Sequence, residues 1–308
     1  RHNVPSMRWF GFGFNAFGQI CVRETPMKEE ESDVTQEVKV LRPTELRTSR
    51  VSACWSRTAS LTAGPKRSRT FYYSSGPPVK LPLVPGGYIT PSPPFYHSLS
   101  PHLEAKSLAL GAEHAILVTA SGAVYTWGLG SHGQLGHGVL ISEEEPRVVE
   151  ALWGMPMSRV ATGGWHSACI SDGGDLYVWG WNESGQLGLP SRGEHVAFLP
   201  LQEPQDEQKH EDVFISIQAF PALLDVTPSC EITAVSCGSR HTAAVTSAGD
   251  LYTWGWGEYG QLGHQNVMSS DEPQRVEFFR EQQQRVTDIV CGAWNTFAAV
   301  IKKDVACA

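Results

Sequence analysis

The stretch "GGWHSACISDGGD" brings serine, histidine and aspartate within a few residues of one another, the residue types a nucleophilic hydrolase uses. His114, His166 and His241 each precede a small residue, and "SHGQLGH" adds His132 and His137, so zinc binding is a second chemistry to test. "GFGF" and "GWGEYG" raise a third, a glycine-rich phosphate loop. Each fails on spacing. Alternation along a strand sends the serine, histidine and aspartate side chains to different faces. No histidine stands with a cysteine or carboxylate at metal-ligand spacing, and neither Lys-Ser/Thr nor a helix pattern follows the glycines. The expectation is a chain with no catalytic residue, no metal site and no cofactor.

The same residues make sense as marks of a repeat. "VYTWGLGSHGQLGHG" at 124–138 returns as "LYVWGWNESGQLGLP" at 176–190 and "LYTWGWGEYGQLGHQ" at 251–265. A weaker copy, "FGFNAFGQIC" at 12–21, has Phe12 and Phe14 in the tryptophan slots and Gly18-Gln19 in the Gly-Gln slot. Upstream of the strong copies runs a shared pattern: a Gly-containing turn, the histidine, an alternating apolar run, a second turn, then Tyr-x-Trp-Gly. Period-two alternation between such turns reads as strand–turn–strand. Arg57 and Asn295 fill the histidine slot in two poorer copies, so the slots lie 57, 52, 75 and 54 residues apart. The long interval marks an acidic insertion at 191–214, with "EPQDEQKHED" inside it.

A period near fifty with all-β content predicts a single β-propeller of four-stranded blades over residues 1–308. About five repeats are countable. The last stops at "AAVIKKDV", and its missing half stands at the other end as "RWFGFGFNAFGQ", so residues 1–21 are expected to complete the final blade and close the ring. Trp127, Trp179 and Trp254 then fill space between blades, and His114, His166 and His241 make one repeated structural hydrogen bond.

Composition narrows the partners. Residues 1–80 carry 13 Lys and Arg against 7 Asp and Glu, and the remainder 11 against 25, for a net charge of −8. That distribution suits a charged protein partner and argues against direct DNA binding. No apolar run reaches membrane-spanning length, and no secretory leader is legible. Seven cysteines without a C-x-x-C pair point to a reducing compartment. Residues 76–107 read as a Pro-rich connector, with 8 of the 20 prolines between Gly76 and Pro101. Its Tyr88, Phe95 and Tyr96 are candidate anchors for a protein partner.

"HTAAVTSAGDLYTWGWGEYGQLGH" resembles the repeat of the regulator of chromosome condensation family, and the copies together cover nearly the whole chain. "WFGFGFNAFGQ", "GGWHS" with "WGWNESGQL", and "QAFPALLD" resemble a small, single-propeller branch of that family. The resemblance implies a nuclear, chromatin-associated adaptor without enzymatic activity, with a Jumonji-C oxygenase as partner and histones as further candidates. The family's founding member, a seven-bladed exchange factor for a small nuclear GTPase, supplies the alternative reading. Here five repeats are counted and no basic tail precedes them, both departures from that member.

Overall fold

The computed structural model describes residues 7–15, 20, 39–46, 50–54, 57–61, 83–90, 94–192 and 213–302. The Gly18-Gln19 copy of the turn motif and residues 193–212 of the acidic insertion lie outside the described residues. The strands, in chain order, begin with β1 (Arg8–Phe14), β2 (Lys39–Leu46), β3 (Arg50–Cys54) and β4 (Arg57–Leu61). Three short strands follow: β5 (Leu83–Val84), β6 (Gly87–Ile89) and β7 (Tyr96–Ser98). Then come β8 (Ala105–Leu110), β9 (His114–Thr119), β10 (Val124–Gly128), β11 (Glu143–Val148), β12 (Met157–Thr162), β13 (His166–Ser171), β14 (Leu176–Trp181) and β15 (Ile217–Leu224). The last are β16 (Ile232–Cys237), β17 (His241–Thr246), β18 (Leu251–Gly255), β19 (Ser270–Arg275), β20 (Gln284–Cys291) and β21 (Asn295–Lys302).

Hydrogen bonding gathers them into four antiparallel four-stranded sheets. Blade I is β8 to β11, blade II β12 to β15 and blade III β16 to β19. Blade IV joins both ends of the chain in the order β2-β1-β21-β20. Its register places Gly13 opposite Asn295 and Phe12 opposite Thr296. Gly255 faces His241 and Trp254 faces Thr242 in the same way, so Asn295 holds the histidine slot and Phe12 the tryptophan slot. The two halves of the split repeat therefore meet in one sheet. The fifth repeat, predicted around Arg57, contributes the β3–β4 pair, and β4 begins at that residue. The molecule is all-β, with one five-residue helix, α1 (Glu277–Glu281), among the described residues.

The core is a row of seams between blades. Ile116, Val118 and Val124 of blade I pack with Met157, Cys169 and Trp179 of blade II. Ala168, Ile170 and Val178 of blade II meet Ala244 and Trp254 of blade III. Ala243, Val245 and Leu251 of blade III close on Phe10, Phe12 and Ala298 of blade IV. Both faces of each second strand are buried, which is why β9, β13 and β17 read as continuous apolar and small runs.

Inside the Pro-rich stretch, β5, β6 and β7 form a three-stranded sheet against blade I. Tyr88, one of the three candidate anchors, is only 8% exposed and does not serve as one, packed with Leu108, Leu117 and Trp127. Its hydroxyl accepts from Trp127 Nε1 at 3.2 Å, and its ring stacks on His97. An aromatic body with one polar tip suits that place, because it fills the seam and satisfies an indole N–H together. Phe95 and Tyr96 remain at the surface, 60% and 51% exposed, with the Tyr96 hydroxyl donating to Gly86 O at 2.9 Å.

Candidate partner-binding face

The repeated polar residues are committed to the seams. His114 Nε2 lies 2.8 Å from Ser167 Oγ of the next blade, and Ser167 donates to Gln134 O at 2.8 Å, back in the first blade. His166, Thr242 and Gln186 repeat this circuit at 2.9 and 2.6 Å. His241, Thr296 and Gln261 repeat it again at 2.9 and 2.8 Å. Each hydroxyl spends its one proton on a carbonyl, so each imidazole donates from Nε2, and burial keeps it neutral. Burial, the dominant cause, lowers His114 to about 4 and His166 and His241 to about 3, with His114 and His241 lowering His166 further.

The tryptophans use the same turns. Trp179 Nε1 donates to Gln134 O at 2.9 Å and Trp254 Nε1 to Gln186 O at 3.0 Å. The second glycine of each Gly-Gln-Leu-Gly turn lies under the next blade's aromatic ring. A Cβ on Gly136 would meet Trp179 at 2.9 Å, and one on Gly263 would meet Phe12 at 2.8 Å, both at positive φ. Glycine is required there twice over, by conformation and by contact. Trp127 departs from the pattern, donating to Tyr88 instead of a Gly-Gln turn.

The hydrolase motif dissolves on the same geometry. His166 bonds Thr242, Ser167 bonds Gln134, and Ser171 turns locally onto Asp175 Oδ2 at 3.1 Å. Cys169, Cys237 and Cys291 are buried, which pushes all three thiols up, Cys291 to about 12, and leaves them unreactive. Among the described residues no group of three His, Cys, Asp or Glu could hold a metal ion. No described helix is long and apolar enough to cross a membrane. A groove of about 470 Å³ beside Tyr125, Leu152, Trp153 and Met155 offers apolar contact but no acid, base or thiol.

What the repeats leave free sits at one end of the blades. The residue before each histidine slot bonds, backbone to backbone, with the residue after the paired glycine: Glu113 with Leu129, Trp165 with Trp181, Arg240 with Trp256, Trp294 with Phe14. These pairs differ from blade to blade, and they touch across the seams. Trp165 Nε1 donates to Glu113 Oε2 at 2.9 Å, and Trp165 and Trp181 meet edge to face at 5.5 Å. The Arg240 guanidinium lies 4.6 Å over Trp181. Trp256 then meets Trp294 at 5.0 Å, and Tyr259 meets Phe14 at 5.0 Å with the Lys39 ammonium 5.7 Å above it. His132 and Tyr259 fill the same turn position in blades I and III.

The result is a belt of half-buried tryptophan, tyrosine and arginine running across the blades, met at its blade I end by the exposed Glu113. Residues of these types, rigid and part apolar, dominate binding energy at protein interfaces. Sequence reading passed over the belt because it does not repeat. The legible signal was the variable residue immediately before each histidine slot.

A propeller with repeat-bonded seams and a variable aromatic loop face is the architecture of a repeat-built binding protein. The chain belongs to the regulator of chromosome condensation (RCC1) repeat family, whose repeat matches residues 121–170, 173–245 and 248–299, more than half its length. It is similar to RCC1 domain-containing protein 1 of Homo sapiens, 52% identical over 73% of this chain and 64% of that protein, and to its Mus musculus counterpart, 50% identical over 73% and 63%. The chain thus spans a little under two thirds of the length of these two relatives. In fold it resembles the crystal structure of Prp20p from Saccharomyces cerevisiae, at TM-score 0.56 and 19% identity over 88% of this chain and 61% of that one.

Proposed function

We propose that this propeller is a non-enzymatic, protein-binding adaptor of the nucleus, acting at chromatin with a Jumonji-C oxygenase in histone regulation and chromosome segregation. The observation that carries the binding role is the division of labour in each blade. Identical residues at 114, 166 and 241 are consumed by the seams, while the residues beside them at 113, 165, 240 and 294 vary and face outward as a continuous belt. Phe95 and Tyr96 supply a second pair of candidate anchors on the irregular sheet. The nuclear setting and the oxygenase are what the resemblance of the repeats to a small, single-propeller branch of the regulator of chromosome condensation family implies. Histones are kept as partners because Prp20p, the fold neighbour, was described with its binding properties to Gsp1p and histones.

The test immobilises the full chain and measures binding of a recombinant Jumonji-C oxygenase and of histones. Trp181→Ala with Arg240→Ala is expected to weaken capture at least tenfold, with a melting curve to check that the chain stays folded after losing their ring and cation contacts. Phe95→Ser with Tyr96→Ser tests the second site in the same assay. Wild-type capture by both variants would remove the loop face and the irregular sheet from the reading. The exchange-factor alternative is read separately, as release of GDP from a small nuclear GTPase. Acceleration by catalytic amounts of this chain would favour it.

A further inference from the structure

The four outermost strands share one construction and differ at one point. Each has a bulge opposite the slot tryptophan or its equivalent, and each has a proline at the same register: Pro43, Pro146, Pro221 and Pro273. Directly before that proline stand Arg42 in β2, Glu145 in β11 and Glu272 in β19, all exposed charges. Such charges on outer strands protect a sheet edge. β15 carries Phe220 there, 54% exposed. Two residues after the proline, Glu45 of β2, Arg275 of β19 and the half-buried Val148 of β11 correspond to Leu223, 61% exposed. Ile217, also exposed, replaces the Lys39 of β2.

The apolar stripe widens onto the neighbouring blade. Gly138 N–H donates to Ala219 O at 3.0 Å, and the Phe220 ring lies directly against Gly138. The next three residues, Val139, Leu140 and Ile141, are all exposed. Three large apolar side chains thus stand on one outer strand, with three more on the adjoining segment 139–141, in a chain whose other outer strands carry charges before the proline. A contiguous patch of that kind marks an interaction site.

We propose that this stripe docks the apolar face of a basic amphipathic helix of another protein. A strand is the poorer occupant because the edge backbone is already engaged: Ala219 O accepts from Gly138, Phe220 O accepts from Gln218 Nε2 at 2.9 Å, and Pro221 has no N–H. The rim sets the charge. Glu144 and Glu145 are exposed beyond Ile141, Asp225 follows the Leu223 end, and Arg147 is occupied by Glu143. Arg192 stands near the Ile217 end, two residues past Pro190, whose carbonyl accepts from Ile215. An acidic rim repels a second copy of this chain, which carries a net charge of −8, and attracts lysine and arginine flanking a partner's apolar face.

The proposal rests on the adaptor reading only in that both assume a protein partner, and it uses a different surface. The probe is a fluorescein-labelled peptide of leucine and lysine with leucines at helical spacing, read by fluorescence anisotropy. Controls are the same composition scrambled and the same pattern with glutamate for lysine. The variant is Phe220→Arg with Leu223→Glu, which leaves net charge unchanged and installs the residues that β2 already carries in these slots. A melting curve checks its fold, with Phe220→Ser and Leu223→Ser as the fallback pair.

Wild type is expected to bind the helical lysine peptide at least tenfold more tightly than the variant binds it, and more tightly than it binds either control. Equal binding by wild type and variant overturns the proposal. So does a concentration-dependent dimer of wild type that the variant abolishes, which would make a second copy the occupant. Probe binding that emerges only after Phe198→Ser with Leu199→Ser also overturns it, assigning the stripe to this chain's own residues 193–212. In every case Trp256→Ala with Trp294→Ala, belt residues of blades III and IV away from β15, leaves the peptide affinity unchanged, so failure here is separable from failure of the loop-face reading.

Discussion

At the scale of single residues, the seams depend on a hydroxyl that serves two blades. Thr242 accepts from His166 of blade II and donates to Gln186 O of the same blade, while itself belonging to blade III. Valine at this position keeps the volume and removes both bonds, leaving the buried His166 N–H unmatched, while Gln186 O keeps its bond from Trp254 Nε1. One such group costs about 1–3 kcal/mol, so Thr242→Val is expected to lose roughly that much, where an exposed threonine would lose almost nothing. Urea unfolding measures it, and a loss below about 1 kcal/mol would show that the circuit relaxes. Trp254, fully buried in the next seam, is expected to lose about 3–5 kcal/mol as alanine. The histidine and tryptophan slots were legible in the sequence because they recur. The partner hydroxyls were legible only as "a small residue after the histidine". Ser167, Thr242 and Thr296 reveal their role only when the next blade is placed beside them.

At the scale of elements, blade IV shows what periodicity can and cannot disclose. The split repeat was readable from "AAVIKKDV" and "RWFGFGFNAFGQ", and β1 does lie between β21 and β2. Trp9, Phe10 and Phe12 of β1 are all buried, at about 1.5–3 kcal/mol each, and both edges of β1 are hydrogen-bonded. A truncation through residue 20 is therefore expected to cost more than about 5 kcal/mol, although chain ends are often dispensable. An unchanged thermal transition in that truncation would contradict the account. The three-stranded sheet was not readable. Its strands span two or three residues each, too few to show a period, and prolines interrupt them. That is also why Tyr88 looked like a surface anchor: its burial is set by the distant Trp127. The loop belt and the stripe on β15 escaped for the opposite reason. Each is a departure from the repeat, and a repeat search averages departures away.

At the scale of the whole molecule, the repeated circuits make stability depend on pH in a calculable direction. The native values of His114, His166 and His241 lie at about 4, 3 and 3, all below the ordinary histidine value of 6.5. A lowered native value means that the unfolded chain takes up protons that the native chain refuses. The stabilisation is therefore complete above about pH 6.5 and is lost progressively as pH falls toward the native values. Each site contributes up to about 1.4 kcal/mol per pH unit in that window, so three together reach about 4 kcal/mol per unit. Against a typical total of 5–15 kcal/mol, unfolding is expected between about pH 5 and 4, with measurable loss already between pH 6.5 and 5.5, before most carboxylates titrate. Blade IV supplies the control, because Asn295 occupies the same slot with no titratable group. His241→Asn is expected to flatten the slope of stability against pH by about one proton's worth between pH 6.5 and 5, whatever it does to stability at pH 7.5. Urea unfolding at half-unit steps from pH 7.5 to 4.5 measures both slopes. A wild-type curve that is level across that range would mean that the three imidazoles take up protons in the folded state as readily as in the unfolded one, with Nε2 still the donor in each seam and the seams holding charged rather than neutral rings.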